Sequence, residues 1–319
     1  MECIFDGNSS HELFLQLKNS DEPFYPEKRE HIKRLWERFE PFAEKGFIDN
    51  FGKKPSPGYW EMAVGCFLLD CGLSLSSEWA QRGNTKGPDF LVENVDGKRL
   101  WVECTTCGLG EDENDNIPQR ENYLDTLDLE REEEGAWSYI CGQHLRQIKL
   151  RVATRFEGKI EHMQRSIDNP TCEPKVDDYF VVAIGGGEIP SVIWNDNITD
   201  DLGIVSLFAP IRDTNLIDLK NGRILEKESK TNKIGSQTTT TVEKPFMLKD
   251  ENKEIDNNII SHILFSKSSI SSNSSAWNSN FYSLNNYNAL QPLPDGLFSE
   301  ARNLSLKWVD DILQIRIPE

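Results

Sequence analysis

Three acidic residues stand in contexts where chemistry, rather than solvation, accounts for a carboxylate. Glu61 interrupts the apolar run Trp60-Glu61-Met62-Ala63, and Asp89 follows Gly87-Pro88 at the head of a strand-like segment. Glu103 lies inside Leu100-Trp101-Val102-Glu103-Cys104-Thr105. A lone charge within a buried strand is costly unless something pairs with it. Asp89 and Glu103 are 14 residues apart, with Asp96-Gly97, a strong two-residue turn signal, between them. The two strand ends are therefore predicted to lie side by side. Two carboxylates facing one way suit Mg²⁺ or Mn²⁺. Such an ion lowers the pKa of bound water and stabilises charge on a transferring phosphate. Each residue taken singly has an ordinary alternative: a Pro-Asp turn, a strand Glu on the solvent face, a helix Glu at the polar edge. The order of all three is rarer than any one of them.

The elements that must position these residues follow from hydrophobic spacing. Residues 1–55 read as a helical lead-in, with Ile32, Leu35, Trp36, Phe39 and Phe42 at helical intervals between Glu27 and Lys45. Pro55-Ser56-Pro57-Gly58 reads as a break, and Tyr59 to Cys71 as a buried helix stopped by Gly72. Asp89–Val95 and Lys98–Thr105 are expected strands. A long helix is expected over roughly Trp137 to Ser166, then a strand buried on both faces over Asp178–Ile184, ended by Gly185-Gly186-Gly187. Arg223 to Leu248 suggests a hairpin with a polar tip, Ile259–Phe265 a further strand, and Leu304–Ile317 a terminal strand or short helix. The Ser- and Asn-rich segment 266–288 is expected to be a surface loop.

In that order the motifs Tyr59-Trp60-Glu61-Met62, Gly87-Pro88-Asp89-Phe90 and Trp101-Val102-Glu103 resemble the PD-(D/E)XK nuclease-like superfamily. More closely, they are similar to an uncharacterised bacterial family with this core. The resemblance runs in patches over about residues 57–300. It includes Leu150-Arg151-Val152 with Lys159, Tyr179 to Ile184, Ile263 to Ser266 and Pro292 to Phe298. It implies an α/β, restriction-endonuclease-like mixed central sheet flanked by helices, occupying residues 56–319 behind the lead-in. It also implies a metal site of Glu61, Asp89 and Glu103, and supplies no substrate.

One departure bears on catalysis. The superfamily's lysine would fall two residues after Glu103, where Thr105 stands. On the helix expected from Trp137, Lys149 and Lys159 both fall in the apolar stripe of Leu145, Ile148, Val152, Phe156, Ile160 and Met163. A lysine facing a core wants a carboxylate partner or a route to water. The two are roughly 15 Å apart along a helix, so at most one serves a compact site. Lys86 is a third candidate, and snorkelling to solvent is the ordinary alternative.

The formal net charge is −18, which argues against a broad phosphate-gripping face. Half of it lies in one acidic insertion, 108–136: residues 111–134 hold 11 acidic residues against Arg120 and Arg131, a net of −9. That stretch suits a basic protein partner. No apolar run reaches membrane-spanning length and the start lacks a secretory pattern, so a cytoplasmic protein without a membrane partner is expected. Seven cysteines, an odd number, fit free thiols better than a disulfide framework. Cys104 and Cys107 with Cys141 and His144 form a weak zinc pattern, weakened by a Cys104 side chain expected to point away from Glu103. The triple glycine matches no nucleotide fingerprint, and no serine occupies a nucleophile elbow. Two functions follow as expectations. One is a Mg²⁺- or Mn²⁺-dependent nuclease hydrolysing phosphodiester bonds of DNA or RNA. The other is an inactive or repurposed protein of the same fold acting as a protein-binding module.

Overall fold

The computed structural model describes residues 3–82, 87–108, 152, 155–187, 213–218, 223–229, 259–266, 268–270, 281–286, 289–309 and 312–316. Residues 109–136 of the acidic insertion, Lys86, Lys149, Arg151, Cys141 and His144 lie outside the described residues. The architecture is mixed α/β. Strands β1 (Phe90–Val95), β2 (Lys98–Thr106), β3 (Tyr179–Gly185), β6 (His262–Ser266), β7 (Phe281–Asn286), β8 (Arg302–Val309) and β9 (Ile312–Arg316) form one sheet in the order β1-β2-β3-β6-β7-β8-β9. The pairs β2–β3, β3–β6 and β7–β8 are parallel, and the others antiparallel. A separate hairpin pairs β4 (Asp213–Asp218) with β5 (Arg223–Ser229).

Helices α1 (Glu12–Asn19), α2 (Phe24–Phe39), α3 (Phe47–Lys53) and α4 (Pro55–Asp70) share a core with one face of the sheet. Along the strands the residues of that core alternate: Leu100 and Val102 on β2, Tyr179, Val181 and Ala183 on β3, Leu264 on β6. Their neighbours Trp101, Phe180, Val182, Ile263 and Phe265 are equally buried, so the sheet centre is covered on both faces, as a parallel centre requires. Helix α6, residues 155–168, buries Phe156, Ile160 and Met163. The short helix α5 (Ser77–Gln81) is capped by the Ser76 hydroxyl, which accepts from the Trp79 N–H.

Helix α4 buries Tyr59, Trp60 and the run Met62–Leu68, residues that lie all around it rather than along one stripe, as befits a helix packed between other helices and the sheet. It starts at Pro55, so the segment Pro55–Gly58, predicted as a break, is its first turn and the helix begins ahead of the expected Tyr59. Proline suits the first helical turn, where its missing N–H is no loss. Gly58 then leaves room for Phe51, whose ring carbon would lie 2.9 Å from an added Cβ. The C-terminus is the predicted one: Gly72 has φ +75°, its N–H reaches Leu69 O, and the Leu73 N–H reaches Leu68 O. Both bonds belong to the glycine-terminated helix end.

A further expectation is corrected. Segment 266–288 is not simply a surface loop, because Phe281–Asn286 is a wholly buried strand beside β6. Its polar side chains tolerate burial by pairing. The Ser283 hydroxyl lies 2.6 Å from His262 Nε2, Asn286 donates to Ile260 O at 2.8 Å, and Asn285 donates to Asp295 at 3.2 Å. Of the segment Arg223–Leu248, expected as a hairpin, Arg223–Ser229 is strand β5, paired with β4. Residues 230–248 lie outside the described residues. The tail is a strand hairpin, β8–β9. Among the described residues no helix is long and apolar enough to cross a membrane.

Candidate active site

The β1–β2 hairpin turns where the sequence places it. Asp96 and Gly97 have φ of +47° and +81°, the left-handed pair that a two-residue hairpin turn needs. Phe90 pairs with Val102, and the same register carried one residue outward sets Asp89 across from Glu103. The carboxylate of Asp89 is fixed there by the Cys104 N–H, which donates to its Oδ2 at 2.6 Å. Phe90 and Val102 face the α1–α4 core, so Glu103, next to Val102 along β2, faces the opposite layer, where Lys159 of α6 meets it. Cys104 packs against the α4 side, as expected, and the described cysteines are free thiols.

Lys159 meets Glu103 directly. Its Nζ donates to Glu103 Oε1 at 2.5 Å. Three residues further along α6, on the same helix face, His162 holds Nδ1 3.4 Å from that same oxygen. This is ion-pair distance rather than a formed hydrogen bond. Glu103 is 4% exposed in its side chain, against 28% for Lys159 and 36% for His162. Its second oxygen, Oε2, is buried without a hydrogen-bond partner among the described residues.

Glu61 reaches the group from α4. Two anchors set that helix against the sheet: Trp60 Nε1 donates to Ala183 O at 3.2 Å, and the Trp60 ring would stand 2.9 Å from a Cβ at position 185, where glycine stands. On the α2 side Gly65 lets the Phe39 ring come to within 2.6 Å of the place a Cβ would take. These contacts hold Glu61 where its charge is felt by the other acids. Burial pushes its carboxyl well above the usual range, and the negative charges of Asp89, Glu44 and Glu103 push it further, against the pull of Lys159. Asp89 is raised to about 7, by burial first and then by the Glu103 charge, while Lys159 and the Cys104 N–H act the other way. For Lys159, burial favours the neutral amine, but Glu103 and Asp89 outweigh it and hold its pKa above the ordinary value. His162 is also raised, chiefly by Glu103.

Asp178, a buried acid of the same sheet, is a useful contrast. Its Oδ2 accepts from Arg99 at 2.8 Å, Trp101 Nε1 at 2.8 Å and the Lys175 N–H at 2.9 Å, and its Oδ1 faces Arg99 Nε at 3.3 Å. Donors therefore surround both of its oxygens. Such an acid ties strands together, whereas Glu103 keeps one oxygen in reserve.

Three of the residues singled out in the sequence, Asp89, Glu103 and Lys159, are thus brought together, with Glu61 in electrostatic reach. Sequence reasoning missed His162 and Glu44. The only available signal for His162 was its position three residues after Lys159 on the stripe. Glu44, in the lead-in, carried none. Among the described residues no three of His, Cys, Asp and Glu are gathered as ready ligands for a metal ion. A cation is nevertheless suited by the bare Oε2 of Glu103 and by the mutual repulsion that raises Glu61 and Asp89. No family model, curated protein or solved structure matches the chain.

Proposed function

We propose that this is a PD-(D/E)XK-type, restriction-endonuclease-like protein and a metal-dependent phosphodiesterase acting on nucleic acid. The observation that carries the reading is the buried Oε2 of Glu103, without a hydrogen-bond partner among the described residues, beside Asp89, with Lys159 on the other oxygen. Asp89 and Glu103 would hold Mg²⁺ or Mn²⁺, with Glu61 binding directly or through water. A divalent ion supplies Lewis acidity toward a phosphate oxygen and a more acidic bound water. Lys159, held by Glu103 as a full cation, supplies from α6 the positive charge that Thr105 cannot, and orients the attacking water. The 2.6 Å bond from the Cys104 N–H keeps Asp89 from turning away from Glu103. The charge of −18 confines phosphate attraction to this cluster rather than to a broad basic face.

A second reading has its own observation. The Lys159–Glu103 pair already neutralises the buried charge without a metal, as in a repurposed member of the fold that binds proteins. Calorimetry with Mn²⁺ on the wild type, Asp89→Asn and Glu103→Gln separates the two. Binding by the wild type that is lost in both variants, with Mn²⁺-dependent cleavage of DNA or RNA lost alongside, supports the enzyme. Wild type that binds no Mn²⁺ at millimolar concentration sinks it and leaves the binding module.

A further inference from the structure

We infer that His162 is a positioning residue, which together with Lys159 fixes Glu103 Oε1 so that Oε2 is the oxygen offered to a bound divalent cation. The inference rests on the metal-site reading above and deepens it. Two nitrogens converge on one oxygen: Lys159 Nζ at 2.5 Å and His162 Nδ1 at 3.4 Å. Both side chains rise from one face of α6, three residues apart. Neutralising the buried carboxylate needs only one cation, and Lys159 provides it. A purely structural cluster would spread its donors over both oxygens, as Asp178 does with Arg99, Trp101 and the Lys175 amide. Here the donors of the described residues gather on Oε1, and none of them reaches the buried Oε2.

The exposures agree with that role. At 36% exposed, the His162 side chain lies between the 4% exposed Glu103 carboxylate and solvent. Its Nδ1 is buried, so the ring turns one nitrogen inward. Groups that orient a ligating carboxylate typically change metal affinity by about 10–100-fold when removed, without themselves touching the ion.

The test uses the full chain and Mn²⁺ alone as the probe, in wild type, His162→Leu, His162→Asn and His162→Gln. The asparagine amide stands where Nδ1 stood and keeps a donor toward Glu103, whereas the glutamine amide stands where Nε2 stood. Calorimetry is expected to show affinity reduced by about 10-fold or more in the leucine and glutamine variants and largely restored in the asparagine variant. The metal-free unfolding midpoint should stay close to wild type in all three variants. Wild-type affinity in His162→Leu, or an asparagine variant as weak as glutamine, overturns the positioning role while leaving the metal site standing. Absence of Mn²⁺ binding in the wild type itself overturns both. Should the leucine variant fail to fold, the asparagine–glutamine comparison decides alone.

Discussion

Replacing Lys159 by methionine removes the ammonium that pairs with a carboxylate only 4% exposed, and the loss of stability can be worked out. Breaking a buried pair from one side typically costs about 3–5 kcal/mol. Lys159 is 28% exposed, so part of its charge is screened by solvent and the cost is lower. There is also a ceiling, because the stranded carboxyl can take up a proton. For a carboxyl of ordinary pKa ~4.3, that costs about 3.7 kcal/mol at pH 7 and about 1 kcal/mol at pH 5. The expected loss is therefore about 2–3 kcal/mol at pH 7, shrinking to about 1 kcal/mol or less at pH 5. Urea unfolding of the metal-free protein at both pH values measures it. In a Glu103→Gln background the same replacement should cost under about 1 kcal/mol, because no charge is stranded. A loss at pH 7 below about 0.5 kcal/mol, or one equal in both backgrounds, would refute the view that Lys159 neutralises Glu103.

Two further perturbations probe the frame that holds the site. Gly65→Ala places a methyl 2.6 Å from the Phe39 ring and should destabilise by about 1–3 kcal/mol through overpacking; an unchanged melting temperature would show that α2 and α4 are not packed as described. His262 is buried beside Ser283 and burial lowers its pKa to about 3, so between about pH 6.5 and 3 the unfolded chain binds a proton that the folded one refuses. Stability should accordingly fall as pH falls through that window, by up to roughly 5 kcal/mol, and the fall should be shallower in His262→Gln; equal slopes of unfolding free energy against pH in the two proteins would count against a neutral, buried imidazole.

The linear sequence determined much of this protein because local rules act on neighbours. Asp96-Gly97 fixes a hairpin turn, but the turn and a period of two alone would set Asp89 across from Cys104; the register shift between Val92 and Val95, which the structure reveals, brings Asp89 across from Glu103. Gly72 ends α4, and the apolar run from Tyr179 to Ile184 reads as a strand covered on both sides. Lys159 was legible as a stripe lysine in need of a carboxylate. What the sequence left open needs long-range pairing. Whether Glu103 faced solvent or a helix depends on α6 crossing that face of the sheet from 56 residues away. The strand Phe281–Asn286 hides in a polar segment because its Ser and Asn find hydrogen-bond partners only once β6 and residues 293–295 lie beside it. The convergence of Lys159 and His162 on Oε1, with Oε2 left bare, is likewise a property of tertiary structure alone. Periodicity fixes which way a side chain points, but only packing brings another element to meet it.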